Sequence, residues 1–219
     1  LNVSERVTLC NMVIEAGGKF SYINPDNTTE SYLRDKKRSK YISFEDDPGT
    51  VYEQTVNIDA GIIVPQVACP HRVDNVRDIQ EIEGVKLDEI FIGGCTNGSY
   101  EDLQEAATIL ENRKVHHDVR LLVTPSSREV YKKAMGTGLL DIFLESGATI
   151  NHPGCSACFG GAGGILGCRE RLLSTANRNF RGRVGAPDSE IYLASPATAS
   201  ASAITGKITD PRSYCHVSA

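Results

Sequence analysis

The sequence predicts an α/β fold of three layers, in which a mainly parallel sheet is flanked by helices. Two observations support this prediction. From Asp88 onward, short apolar segments typical of strands alternate with longer segments of helical spacing. The strand-like segments, such as residues 119–123, are nearly continuous apolar runs, as is typical of parallel strands that are buried on both faces. Repeated strand, helix and strand units of this kind build parallel sheets.

An N-terminal helix is predicted over residues 4–17. Ser4 supplies an N-cap, apolar residues follow at helical spacing, and the pair that begins at Gly17 ends the helix. Asn11 and Glu15 are four residues apart, so an α-helix places them on one face. Taken alone, this pair is most simply interpreted as part of a solvated polar face.

Residues 19–87 carry less information. Turn signals such as Asp47-Pro48-Gly49 separate short apolar runs, and residues 62–64 have the pattern of a strand. The regular alternation begins only after Gly84. We therefore expect a smaller, partial α/β subdomain over residues 1–83 and a second α/β subdomain over residues 84–219.

The second region is predicted in more detail. A capping box at Ser99 opens a helix, a further helical stretch covers residues 126–145, and Pro196 begins a closing helix. Five segments are predicted as strands: 89–92, 119–123, 148–150, 172–175 and 191–194.

Composition excludes several classes of protein. The chain has 219 residues, 40% hydrophobic and 23% charged, which argues against disorder, and it has no apolar run long enough to span a bilayer. Its net charge of -5 argues against nucleic acid or a membrane surface as partner. Seven cysteines, an odd number, and the absence of a signal peptide indicate a reducing compartment, so we expect a cytoplasmic protein.

Three unusual loops, residues 94–98, 153–158 and 177–183, follow three of the predicted strands. Ligands of open α/β sheets bind beyond the carboxyl ends of the strands, so this topology brings Cys95, Cys155 and Cys158 toward one site. Two thiolates at Cys-x-x-Cys spacing can reach one metal centre, and a third thiolate from another loop completes most of its ligand shell.

The Cys155-x-x-Cys158 motif alone leaves other interpretations open. A thioredoxin-like redox pair is one, although such a pair normally follows an early strand and opens a helix. A non-enzymatic zinc module is another, with His152 and Cys95 as the remaining ligands. The other cysteines lack partners at ligand spacing, and we expect them to be core or surface residues: Cys10, Cys69, Cys168 and Cys215.

The third loop places three arginines, Arg178, Arg181 and Arg183, within six residues. Guanidinium groups bind carboxylates or phosphates through paired hydrogen bonds. A solvated basic loop is the simpler alternative. The location of this loop at the same sheet edge as the cysteines favours a binding role.

Together these motifs resemble the aconitase superfamily, and within it the large subunits of homoaconitase and 3-isopropylmalate dehydratase. The resemblance is spread in order over nearly the whole chain, with Gly93-Gly94-Cys95 replacing the commoner Gly-Ser-Cys. The segments that carry it are Cys10-Asn11-Met12 through Gly17, Gly94-Cys95-Thr96-Asn97-Gly98, Gly154-Cys155-Ser156-Ala157-Cys158, Asn177-Arg178-Asn179-Phe180 with Gly182-Arg183, and Ala194-Ser195-Pro196-Ala197.

The resemblance implies a role for each site residue. Cys95, Cys155 and Cys158 would hold a [4Fe-4S] cluster whose fourth iron has no protein ligand and binds substrate. Asn11 and Asn177 would lie beside the cluster, and Glu15 would hydrogen-bond the water or hydroxyl on that iron. Substrate carboxylates would bind to two arginines, Arg178 and Arg183.

The resemblance also implies a hydro-lyase that reversibly dehydrates and rehydrates a 2-hydroxy di- or tricarboxylate. Two parts of such an enzyme are expected to be missing here. One is a long N-terminal segment of the large subunit. The other is a small swivelling-domain subunit that carries the serine base, so we expect this chain alone to be inactive. An RNA-binding role, like that of some cluster-free relatives, fits poorly with the acidic balance of the sequence.

Overall fold

The computed structural model describes residues 1–38 and 40–214, and it divides the chain into two compact units, Leu1–Ile63 and Val64–Ala219. The boundary between the units, after Ile63, lies earlier in the sequence than the predicted boundary near Gly84. The reason is backbone pairing, because residues 66–78 contribute two strands to the sheet of the second unit. Cys215, which we expected in the core or at the surface, lies outside the described residues.

The predicted N-terminal helix is confirmed, with a different start. Helix α1 spans Val3–Met12 and continues as a 3-10 turn over Val13–Ala16. Its N-cap is Asn2 rather than Ser4, because the Asn2 side chain accepts a hydrogen bond from the Glu5 N–H while the Glu5 carboxylate accepts one from the Asn2 N–H. Gly17 ends the helix with a φ of 85°, a left-handed conformation that favours glycine.

The rest of the first unit contains helix α2, Asn27–Asp35, and a 3-10 turn at Ala60–Ile62. The strand predicted at residues 62–64 is therefore wrong. The Asp59 side chain accepts a hydrogen bond from the N–H of Gly61 and closes a turn there. Local capping of this kind outweighs the strand preference of three β-branched residues.

The described residues of the second unit, 64–214, form seven strands and five α-helices. The strands are β1 Gln66–Ala68, β2 Val76–Asp78, β3 Glu89–Gly93, β4 Arg120–Thr124, β5 Thr149–Ile150, β6 Arg171–Ser174 and β7 Glu190–Leu193. The helices are α3 Ile79–Ile82, α4 Tyr100–Leu110, α5 Arg128–Gly136, α6 Leu139–Ser146 and α7 Pro196–Thr205. The capping box at Ser99 is confirmed, with hydrogen bonds in both directions between Ser99 and Asp102.

The sheet order is β2-β1-β7-β6-β3-β4-β5. The five strands from β7 to β5 in this order are parallel, and Ile90 of β3 lies opposite both Leu121 of β4 and Leu173 of β6. Strands β1 and β2 are added antiparallel at the β7 edge. All five parallel strands therefore end at the same edge of the sheet.

Alternate residues of the strands enter two separate cores. Ile90 and Ile92 of β3 pack on one face, where the helices cover the sheet. Phe91 points to the other face and packs with Ala157 and Leu166 of the β5–β6 connection, which contains the 3-10 turn Ser156–Cys158, and with Val184 of the β6–β7 connection. The predicted α/β class, with a mainly parallel sheet between two outer layers, is confirmed.

Candidate functional site

The three loops singled out in the sequence follow β3, β5 and β6, and these strands end at one edge of the sheet. Cys95 lies after β3, two residues beyond its end. Cys155 and Cys158 flank a 3-10 turn after β5, and Asn177 begins the basic loop after β6. The order of the strands therefore places the basic loop beside the Cys95 loop, whereas β4 separates β3 from β5; all three loops lie at the same edge, as the strand pattern predicted.

The Cys95 loop is pressed against the end of β4. Gly93 has a φ of 129°, and the N–H of Gly94 donates a 2.9 Å hydrogen bond to the carbonyl of Thr124. A Cβ on Gly93 would overlap the carbonyl oxygen of Thr124 and lie 2.7 Å from its carbonyl carbon, so only glycine fits here. The chain turns so closely that Cys95 is exposed while Thr96 is buried.

Thr175 joins the Cys95 loop to the basic loop. The N–H of Gly93 donates to the Thr175 hydroxyl at 2.8 Å, and the Asn97 side-chain amide donates to the Thr175 carbonyl at 2.7 Å. Thr175 is fully buried, so water does not compete with these bonds. The start of the basic loop is thereby fixed relative to Cys95.

The second cysteine loop is stabilised by hydrogen bonds and by a buried side chain beneath it. The N–H of Cys158 donates to the carbonyl of Cys155 at 2.8 Å, and the Asn151 amide donates to the Ser156 hydroxyl at 2.9 Å. Ala157, fully buried in the core under the loop, anchors the turn. The turn therefore leaves Cys155 exposed and Cys158 half-buried.

The basic loop meets the second cysteine loop through Arg183. Its Nε donates to the Cys158 carbonyl at 3.1 Å, and its Nη2 lies 3.7 Å from the Cys158 Sγ. Asn177 and Arg178 are half-buried, whereas Arg181 is exposed. Sequence reasoning assigned Arg183 only to substrate carboxylates and missed this contact, which no spacing in the sequence indicates.

Asn179 is a second residue that sequence reasoning missed. It is fully buried, and its amide donates to the carbonyls of Cys69 at 2.8 Å and Arg72 at 3.2 Å. These bonds tie the basic loop to the turn after β1. The signal available in the sequence was an amide side chain between two arginines, which does not distinguish a buried anchor from a surface residue.

Asn11 and Glu15 lie in the first unit, and both are half-buried. Asn11 is in α1, whereas Glu15 is in the 3-10 turn that follows it. The tighter winding of a 3-10 turn rotates Glu15 away from the position that an uninterrupted α-helix would give it. The prediction that the two side chains share a face assumed α-helical winding throughout.

At the opposite ends of the strands, where β3 and β4 begin, charged side chains form a network of ion pairs. Glu89 is buried, and one of its oxygens accepts a 3.0 Å bond from Arg120, which also pairs through two nitrogens with Glu170. Burial raises the pKa of Glu89, and the Arg120 bonds only partly offset this effect. The pKa of Glu170 is lowered by its hydrogen bonds to Arg120. This network supports β3 and β4 from the side away from the cysteines.

Comparison with known proteins identifies the family. The model of the aconitase family (aconitate hydratase) matches residues 1–83 and 77–206. The chain belongs to the aconitase family. Membership of this family suggests an iron-sulfur cluster, and the free thiols of Cys95, Cys155 and Cys158 lie in the loops described above.

The relatives carry names of one enzyme group. A probable 3-isopropylmalate dehydratase large subunit from Methanothermobacter thermautotrophicus is 48% identical over 213 residues, covering 97% of this chain and 51% of that protein. A probable methanogen homoaconitase large subunit from Methanosarcina mazei is 49% identical over 212 residues, covering 97% and 54%. The chain spans about half the length of these relatives. The term "large subunit" implies a small subunit for those proteins.

In the described part of the chain, the loop cysteines are not gathered around a position for a single metal ion. All three thiols are free. Around one tetrahedral zinc, thiolate sulfurs lie about 4 Å apart. Within residues 1–38 and 40–214, ligand atoms of three His, Cys, Asp or Glu residues come within 4.8 Å of one another only at His116, His117 and Asp118.

The zinc module built from Cys95, His152, Cys155 and Cys158 is therefore not supported. His152 instead stacks on Tyr131, with ring centroids 6.3 Å apart. Thiolates that bind separate irons of a cluster need no such close approach. Every helix in the described part of the chain is too short or too polar to cross a bilayer.

Proposed function

We propose that this chain is the cluster-bearing half of the large subunit of an aconitase-type hydro-lyase. The reaction is the reversible dehydration and rehydration of a 2-hydroxy di- or tricarboxylate. Two substrates fit the relatives' names: homocitrate, converted to homoisocitrate through cis-homoaconitate, and an isopropylmalate. The observation that carries the proposal is the set of free thiols at one sheet edge, next to an arginine loop, in a member of this family.

Cys95, Cys155 and Cys158 are the proposed ligands of a [4Fe-4S] cluster. Three thiolates leave one iron without a protein ligand, and such an iron supplies a Lewis acid that eases the loss of hydroxide from the substrate. The buried anchors under the loops, Thr96 and Ala157, hold the cysteine backbones in place before the cluster binds.

The arginines balance the substrate's charge. Arg178 and Arg183 are the proposed carboxylate ligands, because a guanidinium matches a carboxylate through two parallel hydrogen bonds. Fixing the carboxylates also fixes the carbon that bears the hydroxyl, so the bond that breaks is presented in one orientation. The hydrogen bonds from Asn97 to Thr175 and from Asn179 to Cys69 keep the backbone of this loop in place.

Three further side chains complete the proposed site. The Glu15 carboxylate would accept a hydrogen bond from the hydroxyl group that leaves the substrate. In the proposed enzyme, the side-chain amides of Asn11 and Asn177 would donate hydrogen bonds near the cluster. The proton from the substrate carbon goes to a serine of the small subunit, which is the proposed partner of this chain in the cytoplasm.

A reconstituted enzyme tests this proposal. The chain is co-expressed with the remainder of the large subunit and the small subunit, and hydration of the unsaturated acid is followed anaerobically. Replacing Arg178 by glutamine removes a charge-assisted carboxylate contact and should lower kcat/KM by roughly 100-fold, as for other groups that stabilise charge at a reacting centre. The matched control is Arg181→Gln, which makes the same change at an exposed position of the same loop. Equal activity of the two variants would contradict the proposal.

A further inference from the structure

The guanidinium of Arg183 contacts two atoms of one cysteine. Nε donates to the Cys158 carbonyl at 3.1 Å, and Nη2 lies 3.7 Å from its Sγ. The sulfur contact is at ordinary range for the large sulfur atom, a weak but real acceptor. Arg183 comes from a different loop, 25 residues further along the chain. It therefore joins the basic loop to the second cysteine loop directly.

The backbone of Arg183 is fixed on both sides, which holds the guanidinium in this position. Its N–H donates to the Phe180 carbonyl at 3.1 Å, and the next residue, Val184, is buried. The carbonyl of Val184 accepts a 2.8 Å bond from the N–H of Leu166. A long side chain on a fixed backbone loses less entropy when it forms two hydrogen bonds.

We propose that Arg183 is a positioning residue for Cys158, which it orients through the carbonyl and whose sulfur it supplies with a hydrogen bond. The inference rests on the proposed function, in which Cys158 is a cluster ligand. Partners of this kind orient a ligand, and hydrogen bonds to the sulfurs help to set the reduction potential of a cluster. Three of the five N–H groups of the guanidinium remain for a substrate carboxylate, so both roles fit one side chain.

The test compares three variants of the polypeptide that contains this chain, after anaerobic cluster assembly. Arg183→Gln removes the charge and the fork, Arg183→Lys keeps the charge without the fork, and Arg181→Gln is the matched control at an exposed position. Cluster loss to an iron chelator is followed by the decay of visible absorption, and the reduction potential is measured by titration.

Arg183→Gln should lose its cluster roughly tenfold faster than the unchanged protein, the effect of one charge-assisted hydrogen bond. Its reduction potential should fall, because a donor to sulfur stabilises the more negative, reduced cluster. Arg183→Lys should lie between, since one ammonium cannot reach both acceptors in the same geometry. Loss at the rate of Arg181→Gln, or a lysine variant identical to the unchanged protein, would overturn the inference.

A second readout needs no cluster and separates the two proposals. If the unchanged protein assembles no cluster, the proposed function fails, while the carbonyl contact can still be measured. In cluster-free protein, hydrogen exchange at the Cys158 N–H reports opening of the turn that this N–H closes onto Cys155. Arg183→Gln should speed this exchange several-fold relative to Arg181→Gln. Equal exchange in the two variants would overturn the positioning role.

Discussion

Replacing Gly93 by alanine tests whether close packing at the end of β4 positions the Cys95 loop. At a φ of 129°, any residue with a Cβ is strained, which costs about 1–3 kcal/mol. The new Cβ would also overlap the Thr124 carbonyl, which is backbone and cannot turn aside. Overpacking of this kind adds about 1–3 kcal/mol or more. The total of about 2–6 kcal/mol is a large part of the stability of an ordinary domain.

Gly163 provides a matched control. Its φ is 125°, nearly the same as that of Gly93, but a Cβ there would meet no atom within 4 Å. Gly163→Ala should therefore show the strain alone, about 1–3 kcal/mol. In urea unfolding followed by circular dichroism, the midpoint for Gly93→Ala should lie about 1 M below that for Gly163→Ala. Equal midpoints would refute the steric argument, because the two sites differ mainly in what surrounds the new atom.

Three further predictions concern polar side chains of the second unit. Asn179→Ala removes two hydrogen bonds to backbone carbonyls, so the free energy of unfolding should fall by about 2–4 kcal/mol in urea titrations. Arg120 lowers the pKa of Glu170, so the ion pair stabilises the fold at pH values above the ordinary pKa of 4.5. This stabilisation is lost as the pH falls through the lower pKa of the folded state. Glu170→Gln should therefore lose less stability in acid than the unchanged protein. Burial raises the pKa of Glu89, so its charged form destabilises the fold at neutral pH. The free energy of unfolding should rise as the pH falls toward 4.5 and the carboxylate is protonated, and Glu89→Gln should remove this rise.

Each of these predictions has an outcome that contradicts it. A change below about 1 kcal/mol for Asn179→Ala would mean that water replaces the lost amide at both carbonyls. Identical stability curves from pH 7 to 3 for Glu170→Gln and the unchanged protein would mean that the pair with Arg120 contributes nothing, as is common for exposed ion pairs. If Glu89→Gln kept a rise in stability toward pH 4.5, another group would be its source.

Local signals predicted most of the second unit. The Ser99 capping box and the apolar face of α4 each depend on residues close together in the sequence, so they could be predicted from it. The buried parallel strands are continuous apolar runs, so their positions could be predicted as well. The stretch predicted as helical over residues 126–145 is divided into α5 and α6, since Gly138 adopts a φ of 75°. A glycine of this kind is visible in the sequence, but its conformation is not.

The edge strands β1 and β2 were missed for a different reason. Each has three residues, and each depends on a partner, β2 on β1 and β1 on β7 near Leu193, far along the chain. A three-residue strand has too little periodicity to be detected alone. The strand predicted at residues 62–64 shows the reverse error, because a β-branched run is no guide where a local cap closes a turn.

Part of the candidate site could be predicted from the sequence, and part of it could not. The cysteine loops could be placed at one sheet edge because their position depends on strand order and direction, which the sequence pattern carries. The contact of Arg183 with Cys158 and the burial of Asn179 depend on how loops far apart in the chain pack together. Spacing within a loop holds no information about such contacts, so only the structure reveals them.

We propose that Cys95, Cys155 and Cys158 together hold one iron-sulfur cluster. The most direct measurement is anaerobic reconstitution with iron and sulfide, followed by visible absorption and iron analysis, for serine variants at each of these positions. The control is Cys168→Ser, which removes another exposed, free thiol. We expect a brown protein whose visible absorption is lost in each of the three variants and kept in the control. A chain that stays colourless, or variants that all keep the absorption, would contradict it.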